Sequence, residues 1–355
     1  MAKLGEICLI NPKSCTLRDD TEVSFIPMTK VGEHGEFDAS EIKNYSEVKK
    51  GFTNFQNGDI LFAKITPCME NGKGAIAHNM KNGIGFGSTE FHVLRPDTDK
   101  ITREWLYYLT TWKTFRKEAE RNMTGSAGQK RVPKTFLENY VVNLPDIDTQ
   151  KSENKILRKV DDLISLCKQQ LAKLDELVKA RFVEMFGDPI RNDKHFVQKT
   201  GKSLFCFSSG KFLQEEKRFQ HGFPVYGGNG ITWYTDIPLV KKPTIIIGRV
   251  GAYCGNVRMV NVPVWITDNA IYIKEFKTRE LNLHFLLMLM KYMKFSNYAD
   301  YSGQPKITQK PLETLIYIVP PLELQNRFAA FVERVDQQKQ TVQQSLEKLE
   351  LMKKA

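Results

Sequence analysis

The chain has 355 residues, enough for two domains, and its 41% apolar content is typical of a globular protein rather than a disordered one. It has no run of about eighteen apolar residues, which argues against a membrane span. A formal net charge of +11 favours a polyanionic partner, because each neutralised phosphate releases condensed counterions.

The cysteines and the first residues bear on the cellular compartment. Cysteines at positions 8, 15, 68, 167, 206 and 254 form no Cys-x-x-Cys pair, so neither a zinc site nor a disulfide framework is predicted. Residues 1–9 lack the basic-then-apolar pattern of a secretory signal. We therefore expect a cytoplasmic protein without a metal site.

In chain order, the first part of the sequence is predicted to be β-rich with a short helix. Asn57-Gly58 is a turn signal before the apolar run 60–65, and residues 103–121 are predicted to be helical. A long helix is predicted over 155–186, which contains no Gly or Pro. The segment Gly187-Asp188-Pro189 ends it.

The second part has the same order of predicted elements. The segment Gly227-Gly-Asn-Gly230 is a turn signal between two strand-like runs, and residues 244–247 are a candidate buried strand. A short helix is predicted over 282–294. A second long helix is predicted after Val319-Pro320-Pro321, just as the first follows Leu144-Pro145.

Both long helices have apolar residues at the alternating four- and three-residue spacing of a coiled-coil seam. Lys339 interrupts the second seam, and its aliphatic stem is expected to extend outwards. The predicted helix–helix interface comprises Leu157, Val160, Ile164, Leu171, Leu174, Val178, Val332, Val335, Val342, Leu346 and Leu349. An ordinary helical hairpin or a dimer zipper would also produce this pattern.

The chain contains an internal repeat. Residues 128–180 align on 303–355 without a gap at an offset of 175, so that Gln129 matches Gln304 and Gln150 matches Gln325. Upstream the similarity is weaker and requires gaps. The repeat favours pairing of the two helices within one chain, antiparallel if the halves are related by a twofold axis.

These features predict an α+β protein with a pseudo-twofold internal repeat. Two β-rich globular parts, 1–150 and 189–323, are separated by two long antiparallel coiled-coil helices, 151–188 and 324–355. A helix of about thirty residues is roughly 45 Å long, and one turn of B-DNA is about 34–36 Å. Such helices can place two globular parts about one turn apart on a duplex.

Several segments form an ordered set of motifs. One group is Gly125-Ser-Ala-Gly-Gln-Lys-Arg-Val132, Asn143-Leu-Pro145 with Gln150, Glu184-Met-Phe-Gly-Asp-Pro189, and Pro320-Pro-Leu with Gln325. The other group is Pro224-Val-Tyr-Gly-Gly-Asn-Gly230, Ile247-Gly-Arg-Val-Gly251 with Cys254-Gly255, and Thr267-Asp-Asn-Ala270. The first group resembles the conserved regions of type I restriction–modification specificity subunits, and the second resembles one class of their target recognition domains. The first half departs from this pattern, with Ala63-Lys64-Ile65-Thr66 where the second has Gly248-Arg249-Val250-Gly251.

The resemblance implies a division of labour. Two target recognition domains, 1–150 and 189–323, would each bind one half of a bipartite, asymmetric sequence in double-stranded DNA. The helices would set the spacing and dock two methyltransferase (modification) subunits, and restriction or translocase subunits would join for cleavage. S-adenosylmethionine, ATP and Mg would be bound by those partners, and this chain would bind no cofactor.

No catalytic site is predicted in this chain. A Gly-x-x-x-x-Gly-Lys-Ser/Thr phosphate loop is absent, as is the Asn/Asp-Pro-Pro-Tyr/Phe motif of amino-methyltransferases. The nuclease spacing Glu-x-Lys occurs at 47–49 and 275–277, with Asp268 nearby, but such matches arise by chance in a chain this rich in charge. Asp268 is interpreted as a structural residue of its turn.

The predicted DNA-binding residues are basic or amide side chains in turns next to strands. They are Lys64, Gln129, Lys130 and Arg131 in the first half, and Asn229, Arg249, Gln304 and Lys306 in the second. We assign phosphate contact to Gln129, Gln304 and their neighbours. These residues belong to the part of the sequence that is repeated in both halves, and residues shared by both halves do not explain two different sequence specificities. For Asn229, a turn position with positive φ is an equal alternative. Trp233, Tyr234 and Tyr253 are assigned to the core.

Two other functions fit part of the sequence. A coiled-coil interaction scaffold without sequence-specific DNA binding explains the helices but not the duplicated, divergent globular parts. A stand-alone nuclease would need a metal site that the sequence does not supply. The specificity subunit of a related, non-type-I system is a variant of the main interpretation.

Overall fold

The computed structural model of the chain describes residues 1–126 and 128–353. Ala127 of the motif 125–132, and residues 354 and 355 of the predicted helix 324–355, lie outside the described residues. The chain forms two compact units. The first comprises Met1–Ser165 and residues from Glu347 onward, and the second comprises Leu166–Leu346.

Most of the first unit consists of short strands and helices that precede one long helix. Its strands are β1 (Ala2–Lys3), β2 (Cys8–Ile10), β3 (Glu22–Ile26), β4 (Ile42–Asn44), β5 (Thr53–Gln56), β6 (Ile60–Ala63), β7 (Gly74–Ile76), β8 (Ile84–Gly87), β9 (Phe91–Pro96) and β10 (Val141–Val142). Its helices are α1 (Leu4–Ile7), α2 (Tyr45–Val48), α3 (Arg103–Thr111), α4 (Lys113–Arg121) and α5 (Lys134–Asn139). The long helix α6 (Ile147–Phe186) begins in this unit and ends in the second.

The second unit has the corresponding set. Its strands are β11 (Val197–Thr200), β12 (Phe205–Ser209), β13 (Phe223–Gly227), β14 (Gly230–Thr235), β15 (Thr244–Gly248), β16 (Val257–Val260), β17 (Trp265–Ile266), β18 (Ala270–Phe276) and β19 (Ile316–Val319). Its short helices are α7 (Gly201–Leu204), α8 (Leu283–Tyr292) and α9 (Gln309–Thr314). The long helix α10 (Leu322–Met352) begins here and ends in the first unit.

The two units share most of their sheet topology. The order β2-β9-β6-β7 in the first corresponds to β12-β18-β15-β16 in the second. A second sheet has the order β4-β3-β8-β5 in the first unit and β14-β13-β17 in the second, and each contains one parallel pair, β3 with β8 or β13 with β17. Short antiparallel pairs, β1 with β10 and β11 with β19, join the start and end of each globular part.

Each unit has its own hydrophobic core. In the first, β6 is buried along its whole length, and Phe62, Trp105 and Phe115 pack in one cluster. In the second, Phe182 and Phe186 of α6 pack with Phe285 of α8 and Phe328 of α10. The predicted α+β class with an internal repeat is confirmed.

The long helices pack as an antiparallel pair within the second unit. The rings of Phe182 and Phe328 lie 5.6 Å apart, and further along Asp175 forms an ion pair with Lys339. In the first unit, Asp161 of α6 pairs with Lys353. Lys339 interrupts the apolar seam of α10. Its aliphatic stem extends outwards, as expected, and its ammonium group pairs with the Asp175 carboxylate of α6.

Two predicted helix bounds differ from the structure. Helix α6 begins at Ile147 rather than 155, because the Asp146 carboxylate accepts the backbone N–H groups of Asp148 and Thr149 at 3.1 and 2.9 Å and so satisfies the first turn. The predicted helix 103–121 is two helices. The backbone is extended at Trp112, with φ −61° and ψ 137°, which separates α3 from α4.

Candidate nucleic-acid interface

Three loops of the second unit meet at the end of strand β15. The backbone N–H of Arg249 donates to the Asn269 carbonyl at 2.9 Å, and the Arg249 carbonyl accepts from the Ile307 N–H at 2.9 Å. Gly251 donates to the Pro305 carbonyl at 2.9 Å. These bonds bring the Arg249 loop beside the segment that carries Gln304 and Lys306.

The turn that carries Asn229 packs against the same loops. A Cβ atom on Gly228 would lie 3.3 Å from the Asn269 carbonyl oxygen and 3.5 Å from the Gly248 Cα atom, so glycine permits this approach. Gly230 has a φ of 123°, and Asn229 is not among the described residues with positive φ. The alternative that Asn229 supplies a positive-φ position is therefore wrong, because Gly230 takes that role. The four predicted residues of the second unit lie in adjoining loops.

Arg258 also contributes to this site, although sequence reasoning missed it. Its Nη2 atom donates to the Asn229 carbonyl at 2.9 Å, so its guanidinium lies under the turn. Its Nε atom is buried without a hydrogen-bond partner in the described residues. Arg258 lies on β16, and the Asn229 turn lies between β13 and β14 of a different sheet, so the contact joins two sheets. No local motif indicates that contact.

The first unit has the same hydrogen-bond frame around Lys64. The Lys64 N–H donates to the Glu90 carbonyl at 2.9 Å, the Lys64 carbonyl accepts from the Val132 N–H at 2.9 Å, and Thr66 donates to the Lys130 carbonyl at 3.0 Å. Lys64, Lys130 and Arg131 are therefore brought together as their counterparts are. Gln129, which is exposed, lies beside Arg131 and its carbonyl accepts from Arg131 Nη1 at 3.0 Å.

The electrostatics of this first site differ from those of the second. Arg131 makes two hydrogen bonds to the Glu90 carboxylate, at 2.9 and 2.8 Å, and these bonds hold the pKa of Glu90 below its usual value. Burial lowers the pKa of Lys64. Beside them is an open depression of about 640 Å³, lined by Thr66, Glu70, Lys117, Glu120, Arg121, Met123, Gly128 and Lys130. Acidic and basic groups are mixed throughout this surface.

Two aromatic residues that the sequence assigned to the core are at the surface. Trp233 is 50% exposed and Tyr253 is 46% exposed, whereas Tyr234 is half-buried. The core assignment is wrong for Trp233 because β14 is the edge strand of its sheet. The Arg218 guanidinium lies 5.9 Å from the Trp233 ring centroid and 5.8 Å from that of Phe212, which is also exposed.

The predicted seam residues of the long helices are all buried or half-buried. Val160, Val178, Val332, Val335 and Leu346 are buried, and the half-buried ones are Leu157, Ile164, Leu171, Leu174, Val342 and Leu349. A second set of apolar side chains on α6 is exposed. These are Ile156, Leu163, Leu166, Leu177 and Val183.

The structural roles of the nuclease-like segments are local. The Glu47 carboxylate accepts the Asn44 N–H at 2.9 Å and caps α2, and the Lys277 ammonium donates to the Lys202 carbonyl at 2.8 Å. The Asp268 carbonyl accepts from Arg249 Nη1 at 3.1 Å.

Within residues 1–126 and 128–353, no three His, Cys, Asp or Glu side chains are placed to hold a metal ion. In the same part of the chain, no helix is long and apolar enough to cross a membrane.

Comparisons with known proteins agree with this architecture. The chain is 47% identical over 179 residues to the type I restriction enzyme EcoAI specificity subunit of Escherichia coli, an alignment that covers 48% of this chain and 30% of that protein. It is 26% identical to a putative type I restriction enzyme specificity subunit, MjaX, of Methanocaldococcus jannaschii, covering 93% of this chain and 82% of the relative. The alignments with EcoAI and with the E. coli EcoEI subunit span about 30% of those relatives' length.

Solved structures share the fold. The S subunit of a type I restriction–modification system from M. genitalium matches with a TM-score of 0.63 at 18% identity, covering 99% of this chain and 93% of that one. A chain solved in work on assembly and conformational transition of the type I R-M system matches equally well, at 17% identity with 99% and 95% coverage. The family model of the type I restriction modification DNA specificity domain matches twice, at residues 1–176 and 196–351. The chain therefore belongs to the type I restriction modification DNA specificity domain family.

Proposed function

We propose that this chain is the DNA sequence-specificity subunit of a type I restriction–modification complex. Each globular part recognises one half of a bipartite, asymmetric site in double-stranded DNA. The observation that carries the proposal is one hydrogen-bond frame, present in both units, that holds different side chains at corresponding places. Lys64 corresponds to Arg249, and Glu90 corresponds to Asn269. A common frame with different recognition groups suits a protein that binds two different half-sites.

The side chains available at these loops fit DNA recognition. Arginine and lysine donate to guanine O6 and N7 or to phosphate, and asparagine pairs with adenine N6 and N7 in the major groove. In the second unit, Arg249, Lys306 and the exposed Asn269 are at the surface near the Asn229 turn. The exposed Trp233 adds an apolar contact surface on the same sheet as this turn.

Exposed apolar side chains on α6 support the proposal that partner subunits dock on this helix. Ile156 and Leu163 of α6 in the first unit, and Leu166, Leu177 and Val183 in the second, are each more than 40% exposed. Exposed apolar side chains on one helix are typical of a surface that a partner covers. We assign these exposed positions, taken separately in each unit, to docking of one of two methyltransferase subunits, with restriction or translocase subunits joining them.

Catalysis belongs to those partners in this proposal. This chain acts without chemistry of its own, and S-adenosylmethionine, ATP and Mg are bound by the modification and restriction subunits. Its contribution is the choice of sequence and the distance between half-sites. The specificity subunit of a related, non-type-I system would act in the same way with different cleavage subunits.

Mapping modified bases in genomic DNA tests this function. Cells that carry this gene and a neighbouring methyltransferase gene are compared with cells that lack only this gene. We expect a split motif, two short half-sites around a fixed gap, methylated only when this gene is present. If an active methyltransferase partner gives no gene-dependent methylation, the proposal fails and the interaction-scaffold function takes its place.

A further inference from the structure

The positive charge of the chain is concentrated in one globular part. Residues 1–150 contain 20 Lys and Arg against 20 Asp and Glu. Residues 189–323 contain 18 Lys and Arg against 10 Asp and Glu. The net charge of +11 therefore arises mainly from the second globular part, and the first is electrically neutral.

The corresponding sites of the two units show the same difference at atomic scale. In the first, Glu90 neutralises Arg131 through two hydrogen bonds of 2.9 and 2.8 Å. In the second, the residue that corresponds to Glu90 in the frame is Asn269, and the residue that corresponds to Arg131 is Lys306. An amide does not neutralise a cation, so Lys306 keeps the charge that Glu90 offsets at Arg131 in the first frame.

The cations of the second site are available to a ligand. Among the described residues, neither Arg249 nor Lys306 has a carboxylate within 4.0 Å. Arg249 uses one guanidinium nitrogen on the Asp268 carbonyl and keeps its other donors. The charge of Lys306 helps to lower the pKa of Asp300, but the main cause is hydrogen bonding from Ser302, whose N–H donates to the Asp300 carboxylate at 2.9 Å.

We propose that the second unit supplies most of the phosphate contacts to duplex DNA, through Arg249 and Lys306, whereas the first unit binds with little release of counterions. This inference rests on the proposed function. The first unit then depends on short-range contacts to its half-site, and the second unit anchors the complex on any duplex. A cation already paired with a carboxylate gains little from a phosphate, because it must exchange one anion for another.

A reciprocal substitution tests the inference. The complex of the full chain with its methyltransferase subunits is titrated with a 30-base-pair duplex of random sequence at several salt concentrations, about 50 to 200 mM. Asn269→Glu introduces a carboxylate beside Lys306, and we expect the slope of log K against log salt to become shallower by about 0.9, the value of one phosphate contact. Glu90→Asn releases Arg131, and we expect the slope to become steeper by a similar amount.

The control changes the same net charge elsewhere. Gln198→Glu adds a carboxylate on the exposed face of β11, away from the loops, and we expect it to leave the slope nearly unchanged. Arg249→Gln and Lys64→Gln form a second pair of variants. We expect Arg249→Gln to make the slope of log K against log salt shallower by about 0.9, and Lys64→Gln to change it much less. Thermal melting of each complex establishes that the variants are folded.

The outcomes separate this inference from the proposed function. If Asn269→Glu and Glu90→Asn move the slope in the same direction, or if Arg249→Gln and Lys64→Gln reduce it equally, the inference is wrong. Either of these two outcomes overturns only the inference about phosphate contacts. The proposed function still stands if the wild-type complex methylates a split motif. If that motif is absent from the methylome, the proposed function itself fails.

Discussion

Gln150 and Gln325, which are 175 residues apart, make the same three hydrogen bonds in the two units. The Gln150 amide oxygen accepts from the Thr102 N–H at 2.8 Å, and its nitrogen donates to the Lys100 and Pro145 carbonyls at 3.0 and 2.9 Å. Gln325 accepts from the Asn282 N–H at 2.9 Å and donates to the Glu280 and Pro320 carbonyls, both at 2.8 Å. Both side chains are fully buried, and each joins the start of a long helix to the short helix of its globular part.

Loss of this amide should destabilise the unit that contains it. Gln150→Leu or Gln325→Leu leaves one N–H and two carbonyls without their partner, at a cost of about 2–4 kcal/mol in the free energy of unfolding. Urea denaturation measures this difference. Gln170→Leu, an exposed position on α6, is the matched control and should change stability by less than about 0.5 kcal/mol. A loss as small as the control's would contradict the role of the amide.

A methyl group at Gly248 should disturb the loops of the candidate interface. Its Cβ atom would lie 2.2 Å from the Tyr253 carbonyl oxygen and 3.2 Å from that of Gly228, so the backbone must move. We expect Gly248→Ala to weaken DNA binding about tenfold, which corresponds to about 1.4 kcal/mol. Gly303→Ala, where the added Cβ has no neighbour within 4 Å, should bind as the wild type does in the same filter-binding or fluorescence assay.

Charge reversal at Arg249 should affect one half-site. Arg249→Glu places a carboxylate where the second unit presents a guanidinium, so we expect weaker binding with loss of discrimination at the half-site of that unit. Preferences at the other half-site should persist, because Lys64 lies in a separate unit. Binding to a library randomised in both half-sites measures this. Lys274→Glu, an exposed reversal on β18, is the control, and equal loss at both half-sites would contradict independent recognition.

Arg116 should be required for the stability of the first unit. Its guanidinium donates to the Thr110 and Met69 carbonyls, both at 2.6 Å, and to that of Gly72 at 3.1 Å, and burial lowers its pKa to about 10. Lysine cannot provide this planar set of donors, so Arg116→Lys should cost about 2–4 kcal/mol. Arg121→Lys, the same change at an exposed position of α4, should be nearly neutral in thermal denaturation. Equal melting temperatures for the two variants would disprove this role.

The Glu90–Arg131 pair should make stability depend on acidity. The pKa of Glu90 is lower in the folded protein than its ordinary value of 4.5, so its contribution is complete above that pH and disappears as the pH falls through the lowered value. We expect wild type to melt at a higher temperature than Glu90→Gln at pH 7, with the difference shrinking below about pH 4.5. A difference that stays constant from pH 7 to pH 3 would show that the carboxylate charge is not the cause.

Local sequence patterns accounted for the two long helices, for some of the shorter elements and for the repeat. The end of α6 follows from Gly187, whose φ of 67° suits glycine, and the paired faces of α6 and α10 follow from the spacing of their apolar residues. The alignment of the two halves pairs Gln150 with Gln325, but it does not show that both side chains make the same hydrogen bonds. The hydrogen bonds of these residues join segments 43 to 50 residues apart, and such bonds leave no local signal.

The remaining features of the candidate interface were decided by tertiary structure. Glu90 and Arg131 are 41 residues apart, and Arg258 is 29 residues from Asn229, which lies in a turn of a different sheet, so both contacts arise only when the chain folds. Trp233 is exposed because its strand is at the edge of a sheet, which composition does not indicate. Periodicity and turn chemistry are local, so the sequence alone was enough to predict the two long helices, the α+β class and the internal repeat. Which charges remain available for a partner is a property of long-range pairing, and only the folded chain decides it.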